Sequence, residues 1–307
     1  MEDAHLADVH PHLAEGVFAV FDGHGGAEVA RFCERHLAPA VKAHDGWVDA
    51  ADVPRALVDC FHAMDDKLVS ADHAAELAAL RAPPRGGAGP LALVPRPDEN
   101  RAPTGNSPPA PPPPPAPPSG EPPTAGCTAV VAAVVRATLV VANAGDSRAV
   151  LADGDGVAVP LSDDHKPGAP GESARIHAAG GFVSCIGGVT RVNGNLSLSR
   201  AIGDLQYKQN GALGRHEQVV TAQPDVVVRA LAPGDAFLLL ACDGVWDVLD
   251  RQAAVDVVRE RLDAGETAAA AAAALLDACL SPDPRATRGA GCDNMTALVV
   301  LLPSRRR

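Results

Sequence analysis

Three short phrases hold the aspartates of this sequence that most need a chemical reason: FDGHGG at 21–26, ACDGVWD at 241–247 and GCDNMT at 291–296. Each sets Asp22, Asp243 or Asp293 among small residues, and the first two close the apolar runs GVFAVF and AFLLLAC. A short unbroken apolar run predicts a buried strand, so each run delivers a carboxylate to a strand mouth. The glycine after Asp22 and Asp243 lets the backbone approach a ligand closely. Two like charges 4 Å apart repel by about 4 kcal/mol at an effective dielectric of 20. Carboxylates gathered this way either keep their protons or share a cation. All-oxygen ligation disfavours zinc and copper and points to Mg²⁺ or Mn²⁺. No His/Cys set at zinc-ligand spacing competes with that reading.

The elements that must carry these residues are legible around them. A strand is predicted at 16–21, a helix from Ala27 to Ala43, and a longer helical region over 53–80. In the latter, Leu57, Phe61, Met64 and Leu68 recur at helical spacing. TAVVAAVV, TLVVANAG and RAVLADGDGVAVPL read as antiparallel strands, with DGDG at 153–156 as a hairpin turn rather than a ligand. ESARIHAAGG at 172–181 reads as a helix closed by glycine. Helices follow at 251–263 and 265–280, and TALVVLL is a last buried strand before an exposed basic tail.

Between 81 and 125 the composition changes, with 17 of the chain's 28 prolines and the run APPPPPAPP at 110–118. Proline withholds backbone donors, so this insert is expected to be extended, polyproline-like or disordered. It serves either as a spacer or as a ligand for an aromatic-lined groove of a partner. Acidic phrases lie on both sides of it, which predicts one interrupted domain over 1–303 rather than two.

The 307 residues are 47 % hydrophobic and 3 % aromatic, which describes an Ala/Val/Leu interior. No apolar stretch approaches the roughly 20 residues of a membrane span. The net charge of −12 argues against nucleic acid as a partner. Seven scattered cysteines without a CxxC pair are expected to be buried free thiols in a reducing compartment, cytoplasmic or nuclear. Nothing in the sequence demands more than a monomer.

Seven phrases occur in a telling order: MEDAH at 1–5, FDGHGG, NAGDSRAV at 143–150, DDHKPG at 163–168, RVNGNLSLSRAIGD at 191–204, ACDGVWDVL and CDNMT. Together they resemble the metal-dependent, type-2C family of serine/threonine protein phosphatases, in wording closest to its plant and protist branch. The resemblance covers the chain apart from the Pro-rich insert. It implies an α+β fold, a four-layer α-β-β-α sandwich with two central, mainly antiparallel sheets flanked by helix pairs.

The resemblance also implies hydrolysis of phosphoserine and phosphothreonine in phosphoproteins, by water activated between two Mg²⁺ or Mn²⁺ ions. Asp22 matches the carboxylate that bridges both ions, and Asp243 and Asp293 match the remaining ligands of the first. Glu2 and the carbonyl of Gly23 match ligands of the second, while Asp3 matches a residue that orients bound water. Asp146 matches a carboxylate that, with Asp243, holds a weaker third ion; a turn-capping role is the alternative. His24 matches the general acid that protonates the leaving alkoxide, with a purely structural histidine as the alternative. His165 is read as structural, and Arg191 either as facing phosphate from a flap at about 165–195 or as serving a structural role. Asp164, Ser147 and Thr128 are read as local hydrogen-bonding residues.

The wording departs from the family in three places. Relatives carry a strand before MEDAH, with a phosphate-binding Arg three residues ahead of the Met. Met1 stands at that Met's place, so an N-terminally truncated chain is expected, with Glu2 and Asp3 on a frayed end and a sheet edge left unpaired. CIGGVTRVNG at 185–194 is longer and glycine-rich, and the Pro-rich insert replaces a shorter connection. These departures make a catalytically impaired binding protein, acting through the insert, the alternative function.

Overall fold

Alternation along GVFAVF decides the layering of the molecule. Side chains of a strand point to opposite faces in turn, and all six residues of Gly16–Phe21 are buried. Both faces must therefore be covered. Val17, Ala19 and Phe21 pack with Phe32, Leu57 and Phe61 from helices. Phe18 and Val20 pack instead with Leu238 and Leu240 of a second sheet. A computed structural model of the chain describes residues 1–9, 15–47, 49–81, 123–287 and 289–302. The expectations for the Pro-rich stretch at 82–122 and for the basic tail lie outside the described residues.

The chain begins with β1 (Ala4–Val9), β2 (Gly16–Phe21), the short β3 (Gly23–His24), α1 (Glu28–Ala43), α2 (Val53–Val69) and α3 (Ala74–Arg81). It continues with β4 (Gly126–Cys127), β5 (Ala129–Val135), β6 (Thr138–Ala144), β7 (Arg148–Ala152), β8 (Ala158–Pro160), α4 (Pro170–Ala178), β9 (Val183–Ile186) and β10 (Val189–Val192). It closes with β11 (Ile202–Gly203), β12 (Asp225–Ala230), β13 (Phe237–Ala241), α5 (Asp243–Trp246), α6 (Arg251–Asp263), α7 (Ala268–Cys279) and β14 (Ala297–Leu301).

One sheet runs β1-β2-β5-β6-β12 and the other β14-β13-β7-β8. Neighbours within both are antiparallel. On the outer face of the first sheet lie α1 and α2, whose Leu57, Phe61, Met64 and Leu68 are all buried as their spacing predicts. Burying each such side chain fully contributes about 1.5–3 kcal/mol. On the outer face of the second, Val255, Val258, Ala271 and Leu275 of α6 and α7 cover Val150 and Leu239. The order helix pair, sheet, sheet, helix pair is the four-layer α+β sandwich expected from the sequence.

Several boundaries moved for physical reasons. The helical region over 53–80 breaks at Ser70, which takes an extended backbone and accepts a hydrogen bond from the Asp72 N–H at 3.3 Å. A single tight turn, Ala71–His73, then leads into α3. The helix expected from 265 starts at Ala268, because the Thr267 side chain caps the Ala270 N–H. Glu2 and Asp3 do not fray. The Glu2 N–H donates to Asn294 Oδ1 at 2.8 Å, and β1 pairs with β2 from Ala4 opposite Phe21 to Val9 opposite Gly16. Five cysteines are buried and all seven are free, but Cys185 and Cys292 are exposed, against expectation.

Candidate metal centre

Each predicted carboxylate reaches the same place from a different element. Asp22 follows β2 and Asp243 opens α5 just beyond β13, so both stand at strand mouths. Asp146 sits in the turn between β6 and β7, Asp293 in the loop before β14, and Glu2 ahead of β1. Glu2, Asp22, Gly23, His24, Asp146, Asp243 and Asp293 line one cleft of about 250 Å³. Gly23 is there for closeness: a Cβ on it would lie 2.4 Å from the Glu2 carbonyl oxygen. The Glu2 side chain in turn accepts a hydrogen bond from the Gly26 N–H at 3.3 Å. Asp293 is exposed at the rim and accepts from the Asn294 N–H at 2.7 Å.

The charge balance of this cleft is lopsided. No Lys or Arg is among the described residues that line it. Burial, followed by the charges of Asp243, Asp3 and Asp146, pushes the Asp22 carboxyl far above the usual carboxylate range. Burial and the charges of Asp146 and Asp247 raise Asp243 as well. Asp3 lies behind the cleft and is 8 % exposed. Its Oδ2 accepts from Thr296 Oγ1 at 2.7 Å, while its buried Oδ1 has no hydrogen-bond partner among the described residues. Oxygen donors crowded together with an orphaned buried oxygen fit a hard divalent cation.

Among the described residues Cys242 offers a competing soft ligand, since its Sγ lies within 4.8 Å of oxygens of both Asp22 and Asp243. Burial pushes that thiol far up, so it keeps its proton. It donates instead to Asp3 Oδ2 and the Asn294 carbonyl, each at 3.5 Å. The thiol supports the ligands rather than joining them.

Two partners escaped the sequence reading. Asp204 Oδ2 lies 2.6 Å from His24 Nε2. Asp204 takes a left-handed backbone with φ of 50°. Gly126 makes room for the pair, since a Cβ there would lie 2.4 Å from Asp204 Oδ2 and 2.8 Å from His24 Nε2. Lys166 reaches Asp146 Oδ2 with its ammonium group. Burial opposes the charge on Lys166, but Asp146 outweighs it and raises the lysine's pKa. Both residues stand in phrases singled out above, SRAIGD and DDHKPG, yet nothing local marked them as partners.

The remaining readings resolve by contact. His165 accepts from the Gly145 N–H at 3.2 Å and bonds Asp225 at 3.1 Å, a structural bridge. Arg191 donates to the Asn195 carbonyl in the turn just after β10, a structural contact. Thr128 links the Asp22 N–H and Ser147 Oγ, and Asp164 holds Arg148 through two hydrogen bonds of 2.6 and 2.8 Å.

The sequence model of a family described as Protein phosphatase 2C matches residues 1–88 and 112–286. A probable protein phosphatase 2C of Oryza sativa subsp. japonica is 40 % identical over 301 residues, covering 98 % of this chain and 81 % of the relative. One from Paramecium tetraurelia is 38 % identical over 301 residues, covering 98 % and 88 %. A crystal structure of a phosphatase from a pathogenic strain of Toxoplasma gondii superposes with a TM-score of 0.67 at 25 % identity. That match covers 99 % of this chain and 88 % of the other.

Proposed function

The chain belongs to the protein phosphatase 2C family, and we propose that it hydrolyses phosphoserine and phosphothreonine in phosphoproteins at the carboxylate cleft, using Mg²⁺ or Mn²⁺. One observation carries the metal-dependent reading. Glu2, Asp22, Asp146, Asp243 and Asp293 face one cleft that no Lys or Arg among the described residues lines. A phosphoryl dianion cannot enter such a field unless cations reverse its sign.

Asp22 would bridge two ions, with Asp243 and Asp293 on one side and Glu2 and the Gly23 carbonyl on the other. Two such ions would lower the pKa of water between them and offset charge on the phosphoryl oxygens. Asp3, with its free buried Oδ1, would orient water within the centre. His24 faces the cleft and would give a proton to the departing serine or threonine oxygen, a poor leaving group. Asp204 holds that ring from the buried side. Asp146 would take part in a weaker third ion only if Lys166 released it.

Turnover of a phosphothreonine peptide and of an aryl phosphate, with Mn²⁺ varied and then chelated, tests this reading. Activity that needs the ion and disappears in Asp22→Asn and Asp243→Asn is expected. Hydrolysis that survives chelation, or full activity in either variant, would overturn it. No turnover at saturating Mn²⁺ would instead support a non-catalytic binding protein.

A further inference from the structure

Behind the helical layer, away from the carboxylate cleft, two imidazoles and a carboxylate meet. His36 lies on α1, His73 ends the tight turn after α2, and Glu76 is in the first turn of α3. We propose that His36, His73 and Glu76 form a second metal site that takes a borderline cation of the zinc type.

Both oxygens of Glu76 are engaged. Arg35 binds Oε1 at 3.1 Å, which leaves Oε2 aimed between the two rings. Oε2 lies 2.8 Å from His36 Nε2 and 3.8 Å from His73 Nδ1. All three donor atoms fall within 4.8 Å of one another. Zinc bonds of 2.0–2.2 Å in a tetrahedron separate ligand atoms by about 3.4 Å. The two observed gaps bracket that value, so small side-chain rotations close the site.

The rings are also fixed by packing. Fully buried Phe32 stacks against His36 at 4.2 Å between centroids and meets His73 edge-on at 5.1 Å. The three ligand side chains are 25 %, 22 % and 27 % exposed. Water can therefore reach the fourth position of a tetrahedral ion.

Ligand chemistry separates the two sites of this protein. An oxygen-only cleft favours Mg²⁺ or Mn²⁺, whereas imidazole suits zinc and its neighbours. No local spacing announces this set, because His36 stands far from His73 and Glu76 in the chain. Bound metal would tie α1 to α3, which are already joined by the Arg81–Glu28 ion pair at 2.9 Å.

The test uses the full chain with Mg²⁺ saturating the cleft and Co²⁺ as the probe. One equivalent of Co²⁺ should give the intense visible bands of a tetrahedral nitrogen–oxygen site, and Zn²⁺ should displace it. Those bands should persist in Asp22→Asn and vanish in His73→Ala and His36→Gln. Affinity should fall at least about 10-fold in either histidine variant. Zn²⁺ should also raise the Tm of the wild-type chain but not of His73→Ala. Mg²⁺-supported phosphatase activity of His73→Ala should stay at the wild-type level, which shows that the variant folds. Absence of tetrahedral bands overturns the proposal, as do bands that survive both substitutions. A sulfur-to-cobalt charge-transfer band also overturns it, because it would assign the metal to a thiol, Cys242 beside the cleft or the exposed Cys185 or Cys292.

Discussion

His24 Nε2 lies 2.6 Å from Asp204 Oδ2, although 180 residues separate them in the chain. The aspartate side chain is 3 % exposed and the imidazole 27 %, so the ring is anchored on its buried side and open to the cleft. A proton donor loses effectiveness when its ring can turn away from the leaving oxygen.

Replacing Asp204 should therefore show a leaving-group signature. Asp204→Asn should lower kcat on a phosphothreonine peptide by about 10- to 100-fold, and by less on an aryl phosphate. Steady-state kinetics on both substrates measures this. An equal loss on the two would mean that the pair only supports the fold.

Gly126→Ala should produce the same signature from a residue with no chemistry of its own. Its Cβ would lie 2.4 Å from Asp204 Oδ2, so the pair must separate or the strand must shift. Overpacking of this kind costs about 1–3 kcal/mol, which a denaturant melt can read beside the kinetics. Loss of stability without any change in leaving-group preference would count against the positioning role.

Asp22→Asn should remove activity and yet stabilise the chelated protein. Burial first, then the charges of Asp243, Asp3 and Asp146, disfavours the Asp22 carboxylate in the folded chain, a cost that Asn does not carry. The gain should be on the order of 1 kcal/mol or more, given about 4 kcal/mol for a bare pair at 4 Å. Thermal melts in chelator should show the variant above the wild type, and saturating Mn²⁺ should reverse that order.

Lys166→Gln should tighten divalent-cation activation. Lys166 places its ammonium on Asp146, where it competes with any cation for that carboxylate. Losing roughly 1.4 kcal/mol of that competition corresponds to about a tenfold lower activating Mn²⁺ concentration. A Mn²⁺ titration of initial rates reads the shift. An unchanged midpoint would place Asp146 outside metal binding.

Acid should weaken the segment that begins at α4 through Glu172. Burial disfavours its charge, but hydrogen bonds from Arg200 and Ser199 and the Arg175 charge outweigh that and hold the carboxyl at about 2. An unfolded glutamate titrates near about 4.3. Because the folded value is depressed, this stabilisation is fully present above about pH 4.3 and is lost as pH falls towards 2. The Tm gap between wild type and Glu172→Gln should close across that window. A gap that stays constant would show that Glu172 acts without its charge.

What the sequence disclosed and what it hid divide along a physical line. Asp22 and Asp243 were legible because an apolar run ending in Asp-Gly reports burial and a strand mouth within a few residues. The buried faces of α2 followed equally from local spacing. Asp204, Lys166 and the His36–His73–Glu76 meeting were not legible, since each depends on which loops the sheets bring together. The β1 strand is hidden for another reason: its burial alternates along AHLADV, but Asp8 takes a half-buried position while Ala7 and Val9 take exposed ones, so polar and apolar types do not follow the pleat.

The two strand mouths belong to different sheets, since Asp22 follows β2 of one and Asp243 follows β13 of the other. An ion shared by those two carboxylates, as proposed above, would act as a bolt through the seam between the sheets. Sliding one layer over the other would stretch its bonds, so loading the cleft stiffens the sandwich against shear. Amide exchange at Phe21 and Ala241, the last residues of the two strands, should slow in step when Mn²⁺ is added. A loaded cleft would then be the molecule's mechanical fastener as well as its proposed chemical centre.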